Sequence, residues 1–172
     1  MLKGIRDCYK QHMFMRVFVQ FLLLLIIYFS IRYWKGIDNI EGIAPIIRDT
    51  MLSGESFDLR EKKTRPLLVH FWATWCPVCE LENSSIASIA KDYQVITIAS
   101  WSETESEITQ YLNQEKLEMP VIVDEHGEWA RLYGVKAVPS SFFIDGQGHI
   151  QFIETGYTTE LGLRLRLWWL GT

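Results

Sequence analysis

The chain has 172 residues, of which 48% are hydrophobic and 22% charged, with a formal net charge of −4; this suits one ordinary domain plus an appendage. Residues 1–35 carry Lys3, Arg6, Lys10, Arg16, Arg32 and Lys35 against Asp7 alone, a balance of +5, whereas the remainder carries 11 basic and 20 acidic residues, a balance of −9. An acidic body with no basic stripe argues against a nucleic-acid partner, and the split assigns the first 35 residues a job of their own.

That job reads as membrane insertion. Val17–Ile31, "VFVQFLLLLIIYFSI", is uncharged. It is shorter than the roughly 20 residues that cross a bilayer core, but Met13–Met15 extend it past Arg16, whose long side chain can snorkel, and Tyr33-Trp34 suit the far interface. A cleaved export signal needs small residues before the cut, and "SIRYWKG" offers a poor site. The basic N-terminal flank outweighs Arg32 and Lys35, which places residues 1–12 in the cytoplasm, 13–34 in the membrane as a transmembrane anchor and 35–172 outside. Cys8 then stays on the reducing side, and Cys76 and Cys79 face an oxidising compartment.

Gly36–Pro66 reads as a linker followed by short edge structure, with a hairpin signal at Ser53-Gly54 between Ile43–Met51 and Phe57–Leu59. Leu67–Trp72, "LLVHFW", is a nearly continuous run of β-formers and predicts a buried central strand. Pro77 opens a helix whose inward face is assigned Leu81, Ile86, Ile89, Ala90 and Tyr93. Gln94–Ser100 is the next strand. Thr104–Glu107 is a capping box before a helix that turns Ile108, Tyr111 and Leu112 inward. Val121–Asp124 is a strand, and Glu128–Tyr133 a short helix stopped by Gly134. Ser141–Asp145 and His149–Ile153 are strands joined through "DGQG". The tail "TTELGLRLRLWWL" fits either a strand or a packed helix. The order βαβαβα then ββα predicts an α/β sandwich with a mixed central sheet flanked by helices.

"FWATWCPVC" carries the chemistry. A Cys-x-x-Cys pair at a helix start places one sulfur where the dipole and free amides favour a thiolate. Cys76 would be the partly exposed, attacking thiol and Cys79 the more buried, resolving one. Trp75 belongs to an exposed rim that contacts substrate, and Trp72 to the core. His126 and His149 fall in turns and read as surface residues.

"LLVHFWATWCPVC", followed in order by "VITIAS", "MPVIVDEHGEWARLYGV" and "GVKAVPSSFFIDGQGHI", resembles the thioredoxin superfamily. It is similar to the membrane-anchored TlpA/ResA/DsbE branch, and within it to the protein disulfide oxidoreductases of the suppressor of copper sensitivity protein D type, over about residues 38–170. The resemblance implies a thioredoxin-like fold and a cis bond before Pro139. It also implies a substrate-binding surface at Val138 and Pro139, beside Trp75 and Pro77. His70 stands where relatives often carry a polar or acidic group near the buried thiol. It is a candidate proton relay for Cys79, against the plainer reading of a satisfied core histidine. Ser140 departs from the acidic residue that some cytochrome-maturation relatives carry after this proline.

The expected activity is membrane-tethered thiol–disulfide exchange with cysteine-containing exported proteins at a bacterial inner membrane, the catalytic domain facing the periplasm or cell exterior. A membrane electron carrier is the expected upstream partner. No cofactor is expected, because the cysteine couple carries two electrons. Pro77-Val78 puts no charge between the cysteines, and Glu80 and Glu82 oppose a thiolate, so a reductase or isomerase partner is favoured over a dedicated oxidant. The rival reading is a copper or zinc protein using the same thiolates. One pair falls short of the four ligands of a closed zinc site, and no metal site is assigned.

Overall fold

The computed structural model describes residues 19–27, 42–62, 66–102 and 104–171. The chain divides into two units, residues 1–38 and 39–172. In the first, residues 19–27 form a helix, α1, with exposed apolar side chains. The flanks of the expected anchor, 13–18 and 28–34, lie outside the described residues, as does Cys8. Among the described residues no helix is long and apolar enough to cross a membrane.

The second unit is built on a six-stranded mixed sheet of order β1-β8-β7-β4-β5-β6. Its strands are β1 (Gly42–Ile43), β4 (Leu67–Trp72), β5 (Gln94–Ser100), β6 (Val121–Asp124), β7 (Ser140–Ile144) and β8 (His149–Thr155). β4 runs parallel to β5 and antiparallel to β7, and every one of its residues is buried. A strand covered on both faces needs no polar alternation, which is why "LLVHFW" reads as one apolar run. A separate hairpin pairs β2 (Arg48–Thr50) with β3 (Ser56–Asp58). Its turn carries Gly54 at φ 86°, a conformation that favours glycine.

The helices are α2 (Pro77–Ile89), α3 (Glu105–Glu115), α4 (Glu128–Leu132) and α5 (Glu160–Leu170). The capping box at Thr104 forms: Glu107 accepts from the Thr104 backbone N–H at 2.9 Å. The ambiguous tail is a helix. Thr159 caps it by accepting the Gly162 N–H, Leu163 and Leu167 pack against Leu68, Ile86, Ile89 and Phe143, and Leu161, Leu165, Trp168 and Trp169 stay exposed.

The two faces of the sheet differ. On one, Phe71, Tyr133 and Phe142 stack with ring centroids 5.1–5.6 Å apart, among Val69, Ile96, Ile98 and Ile144. On the other, which also carries His70 by strand alternation, Leu68 packs with Ile86 and Ile89 of α2 and Leu163 and Leu167 of α5, and Trp72 with Cys79 and Ile108. The registers Thr97↔His70, His70↔Ser141 and Ser141↔Glu154 lay one polar rung across four strands. The apolar Val95, Leu68, Phe143 and Phe152 lie on one side of that rung, and Trp72 with Ala99 on the other.

The expected inward face of α2 needs one correction. Leu81 is 70% exposed, and Cys79, Glu82 and Asn83 are buried beside Ile86 and Ile89. Five residues separate Leu81 from Ile86, about 140° of rotation at 3.6 residues per turn; residues 79, 82, 83, 86 and 89 follow the period that shares a face.

Candidate active site

β4 ends at Trp72, and the loop Ala73–Trp75 delivers Cys76 to the N-cap of α2. Pro77 fits behind it because the first helical position has no intrahelical use for an N–H. Cys76 and Cys79 form a disulfide with Cα atoms 5.2 Å apart. Cys76 Sγ accepts the Cys79 backbone N–H at 3.2 Å, so the sulfur stands where a serine or aspartate oxygen would cap a helix. Cys76 retains 6% exposure and Cys79 none. The order of access matches the expectation, though Cys76 is more enclosed than "partly exposed" implied.

Val138–Pro139 is cis, as the resemblance implies. It sets the Val138 carbonyl oxygen 3.6 Å from Cys76 Sγ, a contact that becomes a hydrogen bond when the sulfur carries a proton. Ser140, the first residue of β7, is turned inward and donates to the Ala137 carbonyl at 2.8 Å, which ties the ends of the proline loop together.

Trp75 is 60% exposed beside Cys76 and Trp72 is buried, as expected. The Trp75 Nε1–H donates to the Trp101 carbonyl at 2.8 Å, and the Thr74 N–H to Ser102 Oγ at 3.3 Å. Val78 and Leu81 extend the exposed apolar rim along α2. His126 and His149 are exposed, as expected of surface residues.

His70 is fully buried, with Nδ1 2.9 Å from Ser141 Oγ. Burial pushes its pKa down to about 3, so the ring is neutral at neutral pH. A proton relay through it would run between neutral tautomers, without an imidazolium.

Glu82 is the site residue that sequence reasoning missed, having been read only as a charge opposing the thiolate. It is 1% exposed. Burial raises its carboxyl to about 7. The Thr158 backbone opposes that shift without reaching hydrogen-bond geometry, and the Glu154 carboxylate adds to it. Among the described residues neither Glu82 oxygen has a hydrogen-bond partner, nor do His70 Nε2 and Trp72 Nε1. Glu82, its carboxyl raised toward neutrality by burial, stands one helical turn beyond Cys79. The signal was available: Glu82, Ile86 and Ile89 form an i, i+4, i+7 stripe.

Among the described residues no three His, Cys, Asp or Glu side chains are grouped to hold a metal.

Comparison with known proteins agrees with this geometry. The AhpC/TSA family matches residues 41–153. A thioredoxin-like protein of Haemophilus influenzae is 31% identical over 67% of this chain and 70% of its own length. The thiol-disulfide oxidoreductase ResA of Bacillus thuringiensis is 32% identical over 68% and 70%. Among solved structures, a putative thiol:disulfide interchange protein DsbE from Chlorobium tepidum superposes with a TM-score of 0.68 at 26% identity, covering 77% of this chain and 98% of that one. The names of these relatives, a thioredoxin-like protein, a thiol-disulfide oxidoreductase and a putative thiol:disulfide interchange protein, fit a chain with a cysteine pair at a helix N-cap. The chain belongs to the AhpC/TSA family, in its TlpA/ResA/DsbE-like branch, and is a protein thiol–disulfide oxidoreductase.

Proposed function

We propose that this enzyme is tethered to the bacterial inner membrane by residues 13–34, and that its catalytic domain, residues 35–172, reduces or isomerises disulfides of exported proteins. The observation that carries the reading is Cys76 Sγ at the N-cap of α2, accepting an amide hydrogen while lying against the Val138 carbonyl.

In the reduced enzyme the Cys76 thiolate is favoured by the helix N-terminus. It attacks one sulfur of a client disulfide; the client's other sulfur leaves as a thiolate and takes a proton. The client segment lies along Val138 and Pro139, beside Trp75 and Pro77. Cys79 then loses its proton and attacks Cys76 Sγ. This releases the client's second sulfur and leaves the Cys76–Cys79 disulfide, with two electrons passed to the client. Glu82, with a carboxyl near neutrality, is the titratable group one turn from Cys79 suited to take that proton, directly or through water. His70, held neutral by burial and in contact with Ser141, is a candidate to relay that proton between its neutral tautomers. A membrane electron carrier restores the dithiol.

The direction follows from what stabilises the reduced state. Pro77-Val78 contributes no cation, and Glu80 lies in the first turn of α2, so the thiolate is held mainly by the helix end. A less stabilised thiolate favours the disulfide and hence a reducing potential. Equilibration of the full chain with glutathione buffers at pH 7 tests this. The expected potential lies well below about −120 mV, the scale of a dedicated oxidant, and a value at or above that level would make client oxidation the activity. The tether is tested separately by a reporter fused after Thr172, expected to be active outside the cytoplasm. Activity confined to the cytoplasm would overturn the topology.

A further inference from the structure

Trp101 lies outside the cysteine motif and the proline loop, and the exchange chemistry gives it no part. Its backbone sits at φ 50°, in the left-handed region that a bulky side chain rarely enters. Such a conformation persists only where its surroundings over-determine it, and here they do. The Trp101 N–H donates to the Asp124 carbonyl at 3.0 Å, and the same carbonyl accepts the Gly127 N–H at 3.0 Å. The indole lies on Gly127: a Cβ there would stand 2.0 Å from Trp101 Nε1 and 2.7 Å from Cδ1. Gly127 is also left-handed, at φ 68°, so both its backbone and the space above it call for glycine. The Asp124 carboxylate braces the turn, accepting from Ser100 Oγ at 2.7 Å and from the Ala130 N–H at 3.0 Å.

The product of this arrangement is the direction of one carbonyl. The left-handed turn after β5 aims the Trp101 oxygen at Trp75 Nε1, one residue before Cys76. Ser102 adds the second bond, to the Thr74 N–H. The loop that presents Cys76 is thus strapped to the loop after β5.

We propose that Trp101, seated on Gly127, is a positioning residue that sets substrate preference by locking the Trp75 indole as an apolar wall beside Cys76. The Trp75 indole has one hydrogen-bond donor, and the Trp101 carbonyl uses it. What remains for a client is the ring surface, continued by Val78 and Leu81. The substrates this rim fits are extended segments with an aromatic or aliphatic side chain next to the reacting cysteine, in preference to acidic ones. The inference rests on Cys76 being the sulfur that meets the client.

Two disulfide-closed peptides that differ only in Phe or Asp beside one cysteine test it. The full chain, reduced by dithiothreitol, should turn over the Phe peptide with the higher kcat/KM. In Trp101→Gly, which keeps the carbonyl and tolerates the backbone, the Phe/Asp ratio should fall about two- to tenfold, the range expected for one net hydrogen bond and its orientation, with the change mainly in KM. Trp75→Phe, at an exposed position where folding is not at stake, should lower the ratio similarly, and the double variant should be no worse than the single ones. Trp101→Phe, which returns a ring to Gly127, should restore most of the ratio. Additive losses, or an unchanged ratio in Trp75→Phe, would overturn the proposal. Mixed-disulfide formation by Cys79→Ser with both peptides separates the cases. Adducts through Cys76 with an unmoved ratio refute the positioning role alone, whereas no adduct at Cys76 refutes the reading of the site and the proposal with it.

Discussion

The two faces of the central sheet solve the same problem, covering β4, in opposite ways. On one, Phe142 meets Phe71 and Tyr133 edge-to-face, and the only polar atom among the three rings, the Tyr133 hydroxyl, donates to the Pro45 carbonyl at 2.7 Å. On the other, the rung Thr97–His70–Ser141–Glu154 crosses four strands and ends at Arg166 of α5, and His70, Glu82 and Trp72 each leave a buried polar atom without a partner among the described residues. Unpaired buried polar groups cost free energy that an apolar substitute would avoid. They lie on the face that carries Cys79, whereas the aromatic face meets the site at its edge, where Val138 and Trp101 pack against it. One face is closed around aromatic rings; the other keeps unpartnered buried polar atoms on the side of the buried sulfur.

The largest effect should come from breaking the aromatic face. Phe142→Ala removes a buried ring from the stack and should cost about 3–5 kcal/mol of stability, measured by denaturant unfolding of the oxidised chain. The equilibrium with glutathione should stay within about threefold of wild type, or roughly 0.7 kcal/mol. A tenfold shift would mean the faces are not separable.

On the polar face, Glu82 binds its proton more tightly in the folded chain than in the unfolded one, because its pKa rises from 4.5 to about 7. The folded state then binds more protons between those values, so this group lowers stability as pH rises through that window, by up to about 3 kcal/mol in full. Glu82→Gln should abolish the loss. His70 acts oppositely: with a folded pKa of about 3 against 6.5, its contribution is complete above about pH 6.5 and is lost as pH falls toward 3. Subtracting the stability–pH curve of Glu82→Gln from that of wild type isolates the carboxyl, and a flat difference between pH 4.5 and 7 would remove Glu82 from the account. Ser141→Ala should have a smaller effect, about 1–2 kcal/mol, because it strands His70 Nδ1. If it proved neutral, the His70–Ser141 contact would be incidental.

Much of this was legible in the sequence because it rests on local rules. A strand buried on both faces writes "LLVHFW" as an apolar run interrupted only by His70. Pro77 and Gly134 mark a helix start and stop, and the Thr104–Glu107 capping box forms as its spacing requires. The cysteine pair was legible because helix-start chemistry is local too. What failed to show is what depends on phase or on long-range packing. Leu81 was turned inward by its apolarity, although its separation from Ile86 forbids a shared face. Glu82 was read only as a charge opposing the thiolate, because carboxylates are seldom fully buried. The strap from Trp101 to Trp75 joins residues 26 apart through a left-handed turn, and no local pattern announces such a bond. The tail resolved as a helix because Leu163 and Leu167 found Leu68 and Phe143 to pack against, a tertiary choice between two periods the sequence left open.

The account turns on which sulfur meets the client. The direct measurement is mass-spectrometric identification of mixed disulfides formed by Cys79→Ser and Cys76→Ser with exported client proteins. The account predicts adducts through Cys76 that accumulate in Cys79→Ser, because no second thiol releases them, and no turnover and few adducts in Cys76→Ser. Accumulation through Cys79 in Cys76→Ser, with little trapped by Cys79→Ser, would contradict it.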